Sequence, residues 1–180
     1  QRRLRYNRAQ RKRKTQQQHW FPTIIISIRQ WRKDKCEREL PPMILRSVVA
    51  YVGVNGAQLK VNPSIHMSRG KQGCFLSHQQ AWRYFVNHNI QRGVVLEDDA
   101  RVINVSNVHK ILEYLDTHRP QWNILLLGKN KRKHKGFKDY VAQVHIHRPK
   151  AFWGLFSYII NYQTCVRLLK ELNVAMDLPI

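Results

Sequence analysis

The sequence predicts an α/β fold with a mixed, mostly parallel central sheet flanked by helices. Three observations carry that expectation. Short apolar runs rich in β-branched residues, such as Ile24-Ile25-Ile26-Ser27-Ile28 and Val94-Val95-Leu96, have the composition of buried strands. Segments with helical periodicity, around 73–86 and 106–117, alternate with them. The run at 94–96 passes directly into Glu97-Asp98-Asp99, and ligands of such sheets gather at the carboxyl ends of parallel strands.

The chain divides into a tail, residues 1–19, and one domain, residues 20–180. The tail holds eight basic residues, no acid and almost no apolar side chain, so it has nothing to bury. It suits a nucleic-acid arm, an Arg-rich targeting remnant or a solubilising tail. Of the 32 Lys and Arg residues, 24 remain in 20–180 against 11 acids, so the domain itself carries +13. Polyanions or phosphorylated substrates are the partners such charge implies. Cys36, Cys74 and Cys165 are odd in number, far apart and form no CxxC pair, so neither a disulfide framework nor a zinc site is expected. Free, mostly buried thiols in a reducing, intracellular compartment are expected. The strongest apolar run, 151–160, is too short for a transmembrane helix.

In chain order, structure begins at Trp20-Phe21-Pro22 and the first strand covers 24–28. Residues 29–40 lead into a solvated helix that Pro41-Pro42 ends. A second strand covers 45–52, closed by the turn Gly53-Val54-Asn55-Gly56, and 57–70 reads as loop. A helix then enters at Gly73, with Phe75, Ala81, Trp82, Phe85 and Val86 near one stripe. Ser77 and His78 fall near its start, where free N–H groups attract anions, although His78 also suits an ordinary core histidine. After the acidic triplet, Ser106 caps a helix to 117, and 122–127 is a strand ending at Gly128. The basic run 129–138 suits a diphosphate clamp, a solvated loop or a contact to nucleic-acid phosphates. Residues 140–147 alternate as a strand that puts His145 and His147 on one face, where a plain surface strand is the first expectation and one histidine as a third metal ligand the alternative. A strand at 152–160 and a helix at 162–172 complete the order.

The acidic triplet is the main candidate site. Adjacent carboxylates repel unless a cation joins them, and oxygen ligands suit Mn²⁺ or Mg²⁺. A strand period of two would put Glu97 and Asp99 on one face and Asp98 on the other. A solvated acidic strand end accounts for the same residues.

Four stretches in order, GCFLSHQQAW (73–82), VVLEDDARV (94–102), WNILLLG (122–128) and FWGLFSYII (152–160), resemble glycosyltransferase family 25. That family includes bacterial lipopolysaccharide galactosyltransferases and collagen galactosyltransferases. The resemblance spans roughly 24–178 and implies a GT-A-like nucleotide-sugar-binding fold. It implies Mn²⁺ or Mg²⁺ on Asp98 and Asp99, and a nucleotide diphosphate sugar near Gly73, Ser77, His78 and Asp98. Met176-Asp177-Leu178-Pro179 is similar to the family's late aspartate motif, so Asp177 joins Glu97 as a candidate base for the acceptor hydroxyl. Two positions depart from the pattern: Ser27 ends the first strand where asparagine is usual, and Lys71 replaces an acid before the glycine-cysteine pair. Both fall where donor binding is expected.

Two functions follow. One is a metal-dependent transferase moving a hexose, galactose or glucose, to a hydroxyl acceptor on a glycan or protein. The other is a basic structural subunit on the same fold, binding nucleic acid through 1–19 and 129–138 in a virus particle or organellar ribosome. The start at Gln1 suggests an upstream segment, and the chain stops earlier than expected of a full enzyme of this kind.

Overall fold

A computed structural model describes residues 20–60, 67–101, 105–128, 138–141, 144–147 and 155–172. The tail 1–19, the Asp177 motif and 129–137 of the basic run therefore lie outside the described residues.

The main sheet has five strands: β1 (Thr23–Ile26), β2 (Val48–Val52), β3 (Arg92–Glu97), β4 (Ile124–Leu126) and β7 (Ser157–Asn161), in the order β2-β1-β3-β7-β4. β1 is parallel to both β2 and β3, whereas β7 runs antiparallel to β3 and to β4. Four strands thus point one way and β7 the other, the mixed, mostly parallel sheet of a GT-A-like fold.

Side-chain alternation explains the two-sided core. Ile25, Val94, Leu96 and Ile159 turn to one face, where they meet Cys36 and Leu40 of α1 (Gln30–Glu39), Ile44 of α2 (Pro42–Leu45) and Leu112 of α4 (Val108–His118). Ile24, Ile26, Val95, Tyr158 and Ile160 turn to the other, against α3 (Arg69–Asn87) and α5 (Tyr162–Glu171). Gly93 permits a close approach there, because a Cβ on it would stand 2.3 Å from the Phe85 ring.

The parallel strands end in step. Ile26 lies beside both Val52 and Glu97, the Ser27 N–H donates to Val52 O, and the Asp98 N–H donates to Ile26 O. This edge therefore carries the residues just beyond β1, β2 and β3. β4, antiparallel to β7 and so parallel to β3, ends toward the same edge.

Several boundaries differ from the sequence expectation. The second strand starts at Val48, because Pro41-Pro42 does not merely end α1: Pro42 opens the short helix α2, which buries Ile44. The glycine-entered helix begins at Arg69 rather than Gly73. Its first residues, Arg69, Gly70 and Lys71, are exposed and carry no apolar signal, while Gln72 is buried and its side chain donates to Met67 O. Asn107, not Ser106, occupies the N-cap of α4. The single strand expected over 140–147 is a hairpin, β5 (Lys138–Val141) with β6 (Val144–His147), pairing Lys138 with His147 and Val141 with Val144. The side chains of His145 and His147 are outside the described residues. Cys36 and Cys165 are buried free thiols as expected, but Cys74 is exposed. Among the described residues, no helix is long and apolar enough to cross a membrane.

Candidate functional site

The strand β3 ends at Glu97, and a turn follows in which the Ala100 N–H donates to Glu97 O. The three carboxylates leave this end in different directions. The period-of-two pairing of Glu97 with Asp99 does not apply, since Asp99 already belongs to the turn and is exposed.

Asp98 turns toward β1 and α1. Its Oδ2 accepts from Ser27 Oγ at 2.6 Å, and its Oδ1 accepts from Arg32 Nη1 at 2.8 Å. The Asp98 side chain is 10% exposed and that of Arg32 37%. The hydrogen bond to Asp98, reinforced by its charge, holds the Arg32 guanidinium above its ordinary range. Ser27, one of the two departures from the family pattern, is therefore a direct partner of the central carboxylate. Lys71, the other, lies on the exposed first turn of α3.

Glu97 turns the opposite way, toward α3. Its Oε1 lies 3.5 Å from His78 Nε2, and the side chain is 23% exposed. His78 is only 3% exposed, and its Nδ1 shares a 2.9 Å hydrogen bond with Tyr158 Oη. The same phenol accepts from Trp82 Nε1 at 2.9 Å. Burial pushes the Tyr158 phenol well up, partly opposed by the Trp82 hydrogen bond, so it stays neutral. His78 Nε2 makes no hydrogen bond; its approach to Glu97 meets the distance for an ion pair but not the geometry of a hydrogen bond. Cys74, one helical turn before His78, completes a cluster: one ligating atom each from Cys74, His78 and Glu97 lies within 4.8 Å of the other two. Burial, and then the Glu97 charge, raise the Cys74 thiol above its ordinary value.

The helix-start argument for Ser77 and His78 is corrected by this geometry. Both lie more than two turns inside α3, where the backbone N–H groups are already used by the helix. Ser77 Oγ donates to Gly73 O and accepts from the Val54 N–H, tying α3 to the turn after β2. Gly73 serves the same junction. A Cβ there would stand 2.6 Å from Val54 O and 2.7 Å from Gly56 N. Sequence reading singled out Glu97, Asp98, Asp99 and His78, but missed Arg32, Tyr158, Trp82 and Cys74 as their partners. Only Cys74 left a usable signal, its spacing of four from His78 on one helix.

Comparison with known proteins adds the lineage. The model of a family described as "Glycosyltransferase family 25 (LPS biosynthesis protein)" matches residues 53–179. Procollagen galactosyltransferase 1 of Danio rerio is 24% identical over 118 residues, which are 63% of this chain and 19% of that protein. Procollagen galactosyltransferase 2 of Homo sapiens is 24% identical over 118 residues with the same coverage, 63% and 19%. A Bos taurus protein named "Probable inactive glycosyltransferase 25 family member 3" is 28% identical over 119 residues, 63% of this chain and 20% of its own length. The chain spans about a fifth of the length of these relatives.

Proposed function

The chain belongs to glycosyltransferase family 25, and from that premise we propose that it transfers a hexose from a nucleotide diphosphate sugar to a hydroxyl acceptor on a glycan or protein. Galactose is the favoured sugar, because two of the relatives are named as galactosyltransferases. The observation that carries the reading is the three successive carboxylates at the aligned ends of β1, β2 and β3, Glu97 closing β3 and Asp98 and Asp99 just beyond it, the edge at which α/β sheets bind ligands.

A divalent Mn²⁺ or Mg²⁺ would neutralise the diphosphate leaving group when bound. Asp99 fits as its ligand, being an exposed hard oxygen donor at the turn. Asp98 fits less simply: each of its oxygens already accepts a hydrogen bond, from Ser27 or Arg32, so an ion there would share the carboxylate with them. Through those two bonds it also fixes the turn that presents Asp99. Glu97 is the base candidate by type, with Asp177 as the other. Gly73 and Ser77 bear on the donor by seating α3, since Ser77 is buried and its hydroxyl is spent on backbone groups.

Calorimetric titration with a panel of uridine diphosphate sugars, with and without Mn²⁺, tests the proposal. Binding in the micromolar to millimolar range usual for enzyme substrates is expected, dependent on Mn²⁺ and lost in Asp99→Ala. Silence across the panel from a folded sample overturns it.

A second reading, the basic structural subunit, draws on two observations. Residues 20–180 carry +13, and Asp98 is paired with a protein cation, Arg32. It expects RNA or DNA binding that weakens steeply with salt, with a shallower salt slope once residues 1–19 are deleted.

A further inference from the structure

We propose that Cys74, His78 and Glu97 form a binding site for a thiolate-preferring divalent cation, Zn²⁺ by its chemistry, with a fourth coordination position open to solvent. The site is separate from the Mn²⁺ or Mg²⁺ position proposed at Asp99 and does not rest on the transferase reading; with the ion bound, Glu97 is a ligand and Asp177 is left as the base candidate.

Three features point to a ligand. His78 is almost completely buried, yet its Nε2 has no hydrogen-bond partner, and that nitrogen faces the Glu97 carboxylate at 3.5 Å. A buried polar atom left unsatisfied is costly, and a metal bond would remove that cost. Cys74 and His78 lie at i and i+4 on α3, so both side chains project from one helix face, and Glu97 closes the triangle from β3. The opposite nitrogen of the ring is held by Tyr158, itself fixed by Trp82, in the way an outer-shell partner orients a ligating histidine. For Nε2 to offer its lone pair, the ring proton sits on Nδ1 and is donated to Tyr158 Oη. A phenol oxygen has lone pairs for both His78 and Trp82.

The dimensions suit the ion. Ligating atoms in a tetrahedral zinc site stand about 3.3–3.6 Å apart. The Glu97–His78 separation is already 3.5 Å, and the whole cluster lies within 4.8 Å. Small side-chain shifts within the trio close the remainder. The exposure of Cys74 supplies the entry path. A thiolate and an imidazole select against Mg²⁺ and Mn²⁺ in favour of zinc. Binding releases the Cys74 thiol proton to solvent, so affinity rises with pH.

The test uses the full chain with Zn²⁺ alone, followed by equilibrium dialysis, and with Co²⁺ alone as a spectroscopic stand-in. The Co²⁺ complex is expected to show thiolate-to-metal charge transfer in the near ultraviolet and the intense visible bands of tetrahedral coordination. Cys74→Ser, at an exposed helix position where folding should be retained, abolishes the charge-transfer band. It should also weaken Zn²⁺ by about a hundredfold or more, past the 10–100-fold of an outer-shell loss. Tyr158→Phe keeps the band and weakens Zn²⁺ by about tenfold. Asp99→Ala leaves both readouts unchanged. Absence of the band in the unmodified protein overturns the proposal, as does equal Zn²⁺ affinity in Cys74→Ser. In the first case the trio is a packed cluster that holds no ion; in the second, the ion is held by other groups.

Discussion

Glu97 and Asp98 are adjacent, yet they enter different chemistry. Asp98 faces the α1 side, where Ser27 and Arg32 occupy both its oxygens and a third of the arginine remains in water. Glu97 faces the α3 side, where a buried histidine, a buried phenol and an indole form a chain that ends on an unpartnered nitrogen. The first side is satisfied by the protein's own cation. The second is tightly packed but one partner short. The difference teaches that a run of like charges is not one site: the reversal of side-chain direction at each residue of a strand assigns neighbours to separate layers.

The largest expected effect lies on the α3 side. Tyr158→Phe removes the hydroxyl that partners both Trp82 Nε1 and His78 Nδ1 in the core, and should lower unfolding free energy by about 3 kcal/mol. Urea unfolding measures this. A loss below about 1 kcal/mol would mean that the hydroxyl chain does not organise that side, and the contrast with Asp98 would collapse.

Gly73→Ala comes next. The new Cβ meets backbone at 2.6 Å, and backbone cannot swing aside as a side chain can. Overpacking of this kind costs about 2 kcal/mol, more than the helix propensity that alanine gains. Thermal unfolding of the variant checks it. Unchanged stability would show that α3 is not seated as closely on residues 54–56 as described.

On the α1 side the effect should be smaller. Asp98→Asn removes the charge pair, but Arg32 is more than one-third exposed and can turn to water, so about 1 kcal/mol or less is expected. Denaturation at low and high salt would sharpen the comparison, because only a partly screened pair loses its contribution as salt rises.

The smallest effect is a pH slope. Burial first, and then Asp98, push the Cys36 thiol from its ordinary 9.0 to about 11. A thiol raised in the folded state contributes stability that is complete below pH 9 and is lost as pH rises toward 11. The melting temperature should therefore fall across that window, and the fall should be shallower in Cys36→Ala. It will not vanish, because Cys165, pushed up to about 12 by burial, acts with the same sign. An identical slope in the variant would remove Cys36 as a source.

Much of the fold was legible in the sequence because burial leaves a periodic trace. Ile24-Ile25-Ile26 and Val94-Val95-Leu96 are apolar throughout, since α/β strands covered on both faces have no solvent side to mark with polar residues. The acidic end of β3 was legible because charge directly after such a run can only lie at the sheet's edge. Exposed helix turns left no such trace, which is why the start of α3 at Arg69 and the short helix α2 were missed. The hairpin of β5 and β6 was missed for a different reason: two facing strands can alternate without an interruption that marks the turn.

By itself, then, the sequence determined the α/β class, the family and the clustering of carboxylates, all properties of local order along the chain. Only the tertiary structure decided what each carboxylate meets. Ser27 and Arg32 lie 71 and 66 residues from Asp98, and Tyr158 lies 80 from His78. No periodicity reaches across such distances. Those partners are chosen by sheet order, which lays β1 and β7 on either side of β3, and by the side of the sheet to which each residue turns.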